Sequence, residues 1–324
     1  ATTVTLAGGL LPALSVRAQS APAPAATWPT KPVRLVVAFP AGGLADVMAR
    51  VLQPQLSEAL GQPLVIDNRG GAGGNVAAQE VIRNGGDGHT FLITVSTTQS
   101  VNPLLFNPMP FDAQRDLQPV GLLANSQLFL ITRPGLPVKS VQELVTYAKA
   151  NPGKLSYGSA GNGTTPHLGG ELFKQNAGFF ATHIPYRGAA PAIQDVMAGQ
   201  IDFALAPGTV FSAVRAGRLN LLAVASRQRT QNFPTAPTFT EAGVNNVLAD
   251  TLFGVYAPAS APAEAVTRMN RELNRLLVLP AVKARFSELG ADVQPMSPAE
   301  FRNAVQAETQ LFTAVVKASG IKAD

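Results

Sequence analysis

The stretch Val33-Arg34-Leu35-Val36-Val37-Ala38-Phe39-Pro40-Ala41-Gly42-Gly43 decides the fold, because it joins a strand directly to the start of a helix. Residues 33–39 form an apolar run whose length and β-branched content predict a buried strand. After the glycine turn, Asp46 opens a helix that Gly61 ends. A buried strand followed at once by a helix is typical of a parallel sheet covered by helices on both faces.

The same unit of strand, glycine turn and helix recurs twice. Residues 64–66 lead into the turn at 70–75, and residues 155–157 lead into the turn at 158–165. Short strands and helices alternate through the rest of the chain. We therefore predict an α/β fold with mostly parallel sheets flanked by helices.

Composition limits the possible functions. The chain has 324 residues, of which 46% are hydrophobic and 14% charged, and this length suggests two domains with large cores. The net charge is only +5 and no basic block is present, so nothing favours nucleic acid as a partner. The sequence contains no cysteine, which excludes disulfides, thiolate metal sites and a cysteine nucleophile.

The first 27 residues read as an export segment rather than part of the fold. Residues 1–18 are small and apolar, and Val16-Arg17-Ala18 fits a signal peptidase site, which predicts cleavage near Ala18 and a periplasmic protein. The Ala-Pro repeat that follows is typical of a linker. The alternative is a short transmembrane anchor, but glycines and a proline interrupt the apolar run and it is short for a bilayer span.

The glycine turns are the chemically informative feature. Glycine allows a ligand to approach the backbone, and a helix start offers N–H donors and about half a positive charge. Together these features bind carboxylate or phosphate groups. The alternative is that each glycine only closes a tight loop. Because residues 40–46 and 159–165 contain no Lys or Arg, neutral N–H donors would have to hold the acid group.

Two side chains beside these turns each allow two interpretations. Asp46 is interpreted as an N-cap that shapes the first turn, since its charge would repel an anion; contact with the ligand is the alternative. His167 lies just inside a helix start, where it either donates to an anion or caps and packs.

Five further residues are candidates for the wall of a ligand cleft. Thr97, Thr98 and Gln99 follow a strand end and either line a cleft or cap a helix. Arg187 either forks onto a distal carboxylate or points into solvent. Asp202 is interpreted as a turn residue, with a cleft position as the alternative.

Enzyme motifs are incomplete. The glycine turns lack the last glycine of a dinucleotide fingerprint, no P-loop is present, and Tyr157 breaks the nucleophile-elbow pattern around Ser159. The three histidines have no metal-ligand spacing, so we predict neither a metal site nor a cofactor. The alternative to a binding protein is an α/β enzyme acting on a small carboxylated or phosphorylated metabolite, with Asp46 or His167 as its base.

From about Trp28 to the C-terminus the chain resembles the Bug-type periplasmic solute-binding receptors of tripartite tricarboxylate transporters. The order and spacing of many short matches carry this resemblance. They include Trp28-Pro29-Thr30-Lys31-Pro32-Val33, Phe39-Pro40-Ala41-Gly42-Gly43, Asn68-Arg69, Gly71-Ala72-Gly73-Gly74, Asp87-Gly88, Pro152-Gly153-Lys154-Leu155, Ser159-Ala160-Gly161-Asn162-Gly163-Thr164, His167-Leu168, Pro185-Tyr186-Arg187-Gly188 and Ala257-Pro258.

The resemblance implies a two-lobed type II periplasmic-binding-protein fold. One lobe would comprise residues 28–125 and 253–324, and the other residues 126–252. A small carboxylate would be held between the amides of the turns at 39–43 and 159–164. Transporter membrane subunits or a sensor protein would then recognise the closed receptor.

The predicted ligand contacts combine these turns with the side chains discussed above. They are Phe39, Ala41, Gly42, Gly43, Asp46, Thr97, Thr98, Gln99, Ser159, Gly161, Asn162, Gly163, Thr164, His167, Arg187 and Asp202. The chain departs from the family pattern at Thr97, where a smaller residue is expected, and at Phe253, where tryptophan is expected.

Overall fold

The computed structural model describes residues 1–3 and 28–319, so the expected export segment and its cleavage near Ala18 lie almost wholly outside the described residues. The strands are β1 Val33–Val37, β2 Leu64–Asn68, β3 Thr90–Val95, β4 Leu117–Ser126, β5 Phe129–Thr132, β6 Ser156–Ser159, β7 Thr182–Pro185, β8 Phe203–Ala206, β9 Asn220–Val224, β10 Thr251–Pro258 and β11 Ala291–Val293. The helices are α1 Leu44–Leu60, α2 Asn75–Asn84, α3 Thr97–Ser100, α4 Asn102–Leu105, α5 Val141–Ala150, α6 Thr165–Ala177, α7 Ala189–Ala198, α8 Phe211–Arg215, α9 Ala263–Leu277, α10 Pro280–Ser287 and α11 Pro298–Ser319.

Two sheets form the centres of two lobes. The first sheet has the order β11-β4-β10-β3-β1-β2, and the second has the order β7-β6-β8-β5-β9. Helices flank each sheet, which confirms the predicted α/β class and the two-lobed architecture.

Most strands of each sheet run in one direction, as predicted, although each sheet also contains antiparallel pairs. Strand β1 pairs in parallel with β2 and β3, and β6 pairs in parallel with β7 and β8. Strands β10 and β11 run opposite to the other four strands of the first sheet, and β5 runs opposite to the other four strands of the second. Strand β4 leads out of the first lobe and β10 leads back into it. No helical crossover connects them directly, so they can pair antiparallel.

The two passages between the lobes lie side by side. The chain leaves the first sheet after Ser126 and enters the second at Phe129. It returns at Thr251, which pairs with Ser126 across β10 and β4. The N–H of Ser96 donates to the carbonyl of Leu252, so the end of β3 is fixed to this crossing point.

Helix α1 shows how the sequence positions the site. Its buried residues include Leu44, Met48, Leu52, Leu56 and Leu60, which recur every four positions and pack one face into the core of the first lobe. Full burial of such a side chain contributes about 1.5–3 kcal/mol. The amphipathic pattern therefore fixes where the helix points, and with it the position of its N-terminus.

Only the C-terminal end of α1 lies where the sequence predicted it. Gly61 ends the helix in the left-handed conformation, as expected. The N-cap is Gly43 rather than Asp46, so the assignment of Asp46 as the N-cap is wrong. Asp46 lies in the first turn, where its carboxylate reaches back to the N–H of Gly42.

A small apolar cluster joins the C-terminal helix to both lobes. Phe312 and Val316 of α11 pack with Leu105 from the first lobe and Leu168 from the second. Within the described residues, we find no helix with both the length and the apolar character needed to span a bilayer.

Candidate ligand-binding site

Two helices from different lobes begin at one narrow cavity of about 40 Å³, which we name the inner compartment. Helix α1 comes from the first lobe and α6 from the second, and strand β10 closes the compartment beside the crossing point. The lining residues are Phe39, Gly43, Leu44, Ala45, Val95, Leu128, Ala160, Thr164, Thr165, Pro166, Ala189, Pro207, Thr251 and Phe253.

The helix starts supply N–H donors to this compartment. The first N–H groups of a helix have no acceptor within the helix, and neither Gly43 nor Thr164 caps its helix through a side chain. The lining residues Leu44, Ala45 and Thr165 therefore present backbone donors. Each helix start also carries about half a positive charge. No charged side chain lines the compartment, so the arrangement suits an anion held by neutral donors.

Two threonine hydroxyls add to these donors. Thr165 and Thr251 are 0% and 2% exposed. Within the described part of the chain, neither Oγ1 atom has a hydrogen-bond partner. A buried hydroxyl without a partner destabilises a fold by about 1–3 kcal/mol. Both residues line the inner compartment, so these hydroxyls are candidate donors to a polar ligand group there.

The glycine amides of the first turn are engaged inside the turn. The N–H of Gly42 donates to Asp46 Oδ2 at 3.0 Å, and the N–H of Gly43 donates to the Pro40 carbonyl at 3.2 Å. The turn closes on itself, so both amides already have acceptors and their contact with a ligand stays a prediction. The residues that line the compartment next to them are Leu44 and Ala45, at the start of α1.

Asp46 fixes this turn from within. Its carboxylate also accepts from Arg50 Nε at 3.0 Å. Burial disfavours the ionised form, but the bonds from Arg50 and Gly42 outweigh it and hold the pKa of the Asp46 carboxyl below its ordinary value. Asp46 does not line the inner compartment, so its charge is neutralised beside the ligand site rather than in it.

The turn at 158–165, which we call the second turn, is closed in the same way. The N–H of Gly161 donates to Ser159 Oγ at 3.1 Å, and the N–H of Gly163 donates to His167 Nδ1 at 3.2 Å. His167 thus supports the turn from behind and does not line the compartment. As with the first turn, the glycine amides predicted to contact the ligand are used to hold the loop.

A stacked histidine pair supports the second turn. The rings of His167 and His183 lie 3.9 Å apart and almost parallel, and His183 Nε2 lies 2.7 Å from Ser159 Oγ. Burial, His167 and the charge of Lys174 lower the pKa of His183 to about 3. His183 is therefore neutral at physiological pH, and the pair packs without repulsion from that ring.

A second cavity of about 230 Å³, which we name the outer compartment, adjoins the first. Phe39 and Ala160 line both cavities. The outer compartment is lined by Phe39, Gly71, Ala72, Gly73, Gly74, Phe106, Ala160, Gly161, Asn162, Pro185, Tyr186 and Arg187. Arg187 is exposed and is the one charged side chain among these lining residues.

The lobes meet at glycines along the cleft. A Cβ atom on Gly70 would lie 3.0 Å from the Arg187 carbonyl, and one on Gly73 would lie 2.8 Å from the Asn162 carbonyl. Each pair joins the first lobe to the second. Close approach of the lobes therefore depends on the absence of side chains at these positions.

Six predicted contacts line one or both compartments, and the other predicted contacts lie behind or outside them. Those on the walls are Phe39, Gly43, Thr164, Gly161, Asn162 and Arg187. Besides the turn residues Gly42, Asp46, Ser159, Gly163 and His167 described above, Ala41 is exposed at the tip of the first turn and lines neither compartment.

The segment at 97–99 supports the cleft from behind. Thr98 Oγ1 donates to the Gly73 carbonyl at 3.1 Å and so supports the glycine turn at 70–75. Thr97 is fully buried and lines neither compartment. The Gln99 side chain donates to the carbonyls of Ala113 and Leu117 and borders a separate pocket. None of these three side chains lines either compartment, and their contact with a ligand stays a prediction.

Asp202 also lies away from the cleft. Its carboxylate accepts from Arg133 Nε at 2.9 Å and from the Ser156 N–H at 2.9 Å. It joins the start of the β6 strand to the segment before β8. This position is structural, because its acceptors are used within the second lobe.

Sequence reasoning missed the part of the inner compartment that comes from the crossing strands. Thr251, Phe253 and Leu128 lie next to the passages between the lobes, and Val95 ends β3. Their apolar neighbours read as ordinary core strand, so no local signal distinguished them. Only Phe253 was marked by the sequence, because the family resemblance predicts tryptophan at this position.

The sequence profile of the tripartite tricarboxylate transporter family receptor matches residues 48–321. The chain belongs to this family. The receptor is 35% identical to protein BugT of Bordetella pertussis over 306 residues, which cover 94% of each chain. Family membership confirms the resemblance to Bug-type receptors and assigns a periplasmic solute-binding receptor rather than an enzyme.

Two solved structures share this fold. The structure of R. palustris Rpa4515 with adipate has 36% identity and a TM-score of 0.88, covering 91% of the receptor and 99% of that chain. The structure of MatC (Rpa3494) from Rhodopseudomonas palustris with bound malate has 30% identity and a TM-score of 0.84, covering 89% and 100%. Both of these proteins bind carboxylates.

Proposed function

We propose that the receptor binds a small organic acid and holds one of its carboxylates in the inner compartment. The observation that carries this proposal is the pair of helix N-termini, one from each lobe, that begin at a cavity lined by no charged side chain. The Leu44, Ala45 and Thr165 amides and the Thr165 and Thr251 hydroxyls would share the negative charge. Adipate and malate in related receptors support a carboxylate as the ligand.

We propose closure of the lobes as the mechanism. One lobe would comprise residues 28–125 and 253–324, and the other residues 126–252. In support, the chain leaves the first sheet after Ser126 and returns to it at Thr251, within two residues of these bounds. A carboxylate that accepts from α1 and α6 together makes its full set of bonds only when the lobes meet. Ligand binding would therefore favour the closed form by its differential affinity for that form.

The closed form would be the signal that a partner reads. We propose export with cleavage near Ala18, followed by docking of the closed receptor on transporter membrane subunits or on a sensor protein. Binding of either partner should therefore depend on closure of the lobes. A variant that cannot close should bind neither partner, even when it is stable. Co-purification of the receptor with membrane proteins from the source bacterium, with and without ligand, tests this step.

The alternative of an α/β enzyme has no support from its two candidate bases. The carboxylate of Asp46 is bonded to Arg50 and Gly42, and His167 Nδ1 accepts from Gly163. Neither side chain lines the inner compartment. A binding site without a positioned base or nucleophile fits a receptor.

Calorimetry with matched acids and amides tests the proposed function. Butyrate and butyramide, and adipate and adipamide, have similar shapes but differ in charge. We expect each acid to bind roughly tenfold tighter than its amide or better, since bonds to a charged group contribute about 1.5–3 kcal/mol. Equal affinity for acids and amides, or binding of neither after a thermal-shift screen of mono-, di- and tricarboxylates, would contradict the proposal.

A further inference from the structure

A third cavity, of about 380 Å³, has a wall unlike those of the two compartments in the cleft. Side-chain amides and guanidinium groups make up most of this wall. They belong to Gln99, Gln114, Arg115, Gln118, Arg302 and Gln306. The other described lining residues are apolar, and none is acidic. We name this cavity the glutamine pocket. Its volume falls within the range of small-molecule sites, about 300–1,000 Å³.

The glutamine pocket lies away from the cleft between the lobes. Among the described residues, none from the second lobe lines it. Its wall comes from α3, from the segment at 114–119 that leads into β4, from the residue after β10 and from α11. Arg302 and Gln306 are one turn apart on α11, so they lie on the same face of that helix. A ligand here would join α3 to α11 and would not depend on closure of the lobes.

One positive charge in the glutamine pocket is not balanced. Arg115 Nε lies 2.7 Å from Asp116 Oδ1, and Asp112 of the same segment adds negative charge beside it. Arg302 is exposed, and no group in the described part of the chain pairs with its guanidinium. The pocket therefore favours a ligand with a negative charge that Arg302 can bind.

The Gln99 side chain lacks a donor for its amide oxygen. This residue is only 4% exposed, and its Nε2 atom donates to the Ala113 and Leu117 carbonyls at 2.7 and 3.1 Å. These two bonds fix the orientation of the amide, because Oε1 in the place of Nε2 would face two carbonyls. No donor from the described residues reaches Oε1. Buried polar atoms normally have a partner, so a ligand with an O–H or N–H donor would complete this amide.

A hydroxyl is a better donor here than an ammonium group. An ammonium group would add positive charge beside two arginines, whereas a hydroxyl is neutral. The other glutamines extend the same kind of wall. Gln114 and Gln118 are held by bonds to the carbonyls of Gln99 and Pro258 at 3.2 and 3.0 Å. Each amide offers both donors and acceptors, which suits a ligand with several hydroxyls.

We propose that the glutamine pocket is a second ligand site and that it binds a hydroxylated carboxylic acid of the sugar-acid class. Arg302 would pair with the carboxylate. The glutamine side chains would bind the hydroxyls, one of which would donate to Gln99 Oε1. This site is separate from the carboxylate site between the lobes.

Proton–nitrogen correlation NMR spectra of the receptor test the site, because they resolve the glutamine side-chain amides. Three probes separate charge from hydroxyls: gluconate has both, sorbitol has hydroxyls without charge, and hexanoate has charge without hydroxyls. We expect gluconate to shift the Nε2 signals of Gln99, Gln114, Gln118 and Gln306 in a saturable manner. It should bind this pocket at least about tenfold tighter than sorbitol or hexanoate.

Three variants locate the binding. Arg302→Gln removes the charge, and we expect gluconate binding at the pocket to weaken at least about tenfold. Arg83→Gln removes an exposed arginine of the first lobe that lines none of the three cavities and should leave this binding unchanged. Thr165→Val alters the inner compartment and should also leave it unchanged.

The contradicting results are distinct. If hexanoate or sorbitol shifts the four glutamine signals as gluconate does, the ligand class is wrong. If gluconate leaves these signals in place, or binds Arg302→Gln as tightly as the wild type, the site itself is wrong. None of these results affects the proposed function, because the glutamine pocket and the inner compartment share no lining residue.

Discussion

The backbone N–H of Gly42 donates to the Asp46 carboxylate at 3.0 Å, and this bond ties the tip of the first turn to helix α1. Asp46→Ala removes the acceptor from a buried site and leaves the Gly42 N–H and Arg50 without their partner. We expect a loss of about 1–3 kcal/mol in the free energy of unfolding. Carboxylate affinity should also fall, because the start of α1 is no longer held at the inner compartment.

Glu80→Ala is the matched control for this prediction. Glu80 is an acid in the same lobe that pairs with Arg34, away from both compartments. Urea denaturation and calorimetry measure both quantities in both variants. Unchanged carboxylate affinity in Asp46→Ala would show that the turn does not depend on this bond.

The hydroxyls of Thr165 and Thr251 should affect stability and affinity in opposite directions. Valine has nearly the same shape but no hydroxyl, so Thr165→Val and Thr251→Val each remove a buried polar atom that lacks a partner. We expect unchanged or higher melting temperatures, together with an affinity for carboxylates weaker by about 1–2 kcal/mol per substitution.

Thr132→Val provides the comparison. Thr132 is also fully buried, but its hydroxyl accepts from Asn220 in the second lobe. This variant should lose stability and keep its affinity. If the valine variants at 165 and 251 lose stability and bind as the wild type does, then these hydroxyls do not face the ligand.

Closure of the lobes should be sensitive to a single methyl group at Gly70. A Cβ atom there would lie 3.0 Å from the Arg187 carbonyl of the opposite lobe and 3.1 Å from Pro40 Cδ of its own lobe. We expect Gly70→Ala to weaken carboxylate binding by about 1–3 kcal/mol, and the contact with Pro40 to lower stability without ligand by less than this. Small-angle X-ray scattering with saturating ligand should then show a larger radius of gyration than in the wild type.

Gly135→Ala controls for the substitution itself. A Cβ atom on Gly135 would meet only the flexible end of Arg133. This variant should bind and compact as the wild type does. A Gly70→Ala variant that closes normally would show that the contact between the lobes can adjust to the added methyl group without a measurable loss of binding free energy.

Glu308 should make stability decrease as the pH rises. Its carboxylate accepts from Ser96 Oγ and Ser100 Oγ, both at 2.7 Å, and burial raises its pKa to about 7 from an ordinary 4.5. Between these values the folded chain holds a proton that the unfolded chain releases. The stability contribution is therefore present below about pH 4.5 and is lost as the pH rises through about 7.

Glu308→Gln tests this sign. The shift corresponds to about 3 kcal/mol at most, so the variant should be more stable than the wild type at pH 8 and should show a flatter profile between pH 5 and 8. Glu264→Gln, which changes an exposed acid on α9, should leave the profile as it is. A wild-type stability that is level or rises over this range would contradict the prediction.

Local patterns predicted the elements well where a short stretch determines them. The run at 33–39 contains the strand β1, Val33–Val37, and Gly61 ends α1. In each case the interaction joins residues close in sequence. The expectation that two helix starts from separate domains meet at one cleft also agrees with the geometry of α1 and α6.

The site could be predicted only in outline, because its hydrogen bonds depend on distant residues. Whether the Gly161 amide is available depends on Ser159, whose hydroxyl is in turn placed by His183. Asp202, just before β8, pairs with Arg133, just after β5. Thr251 reaches the inner compartment only because the return strand crosses beside the helix starts. None of these relations leaves a periodic or local trace in the sequence.

A crystal structure with a bound α,ω-dicarboxylate tests the central claim most directly. We expect one carboxylate within hydrogen-bond distance of the Leu44 or Ala45 amide from the first lobe and of the Thr165 amide from the second, with the Thr165 or Thr251 hydroxyl as a further donor. A carboxylate bound by one lobe only, or by amides of the Gly42 or Gly163 turns in place of the helix starts, would contradict the account.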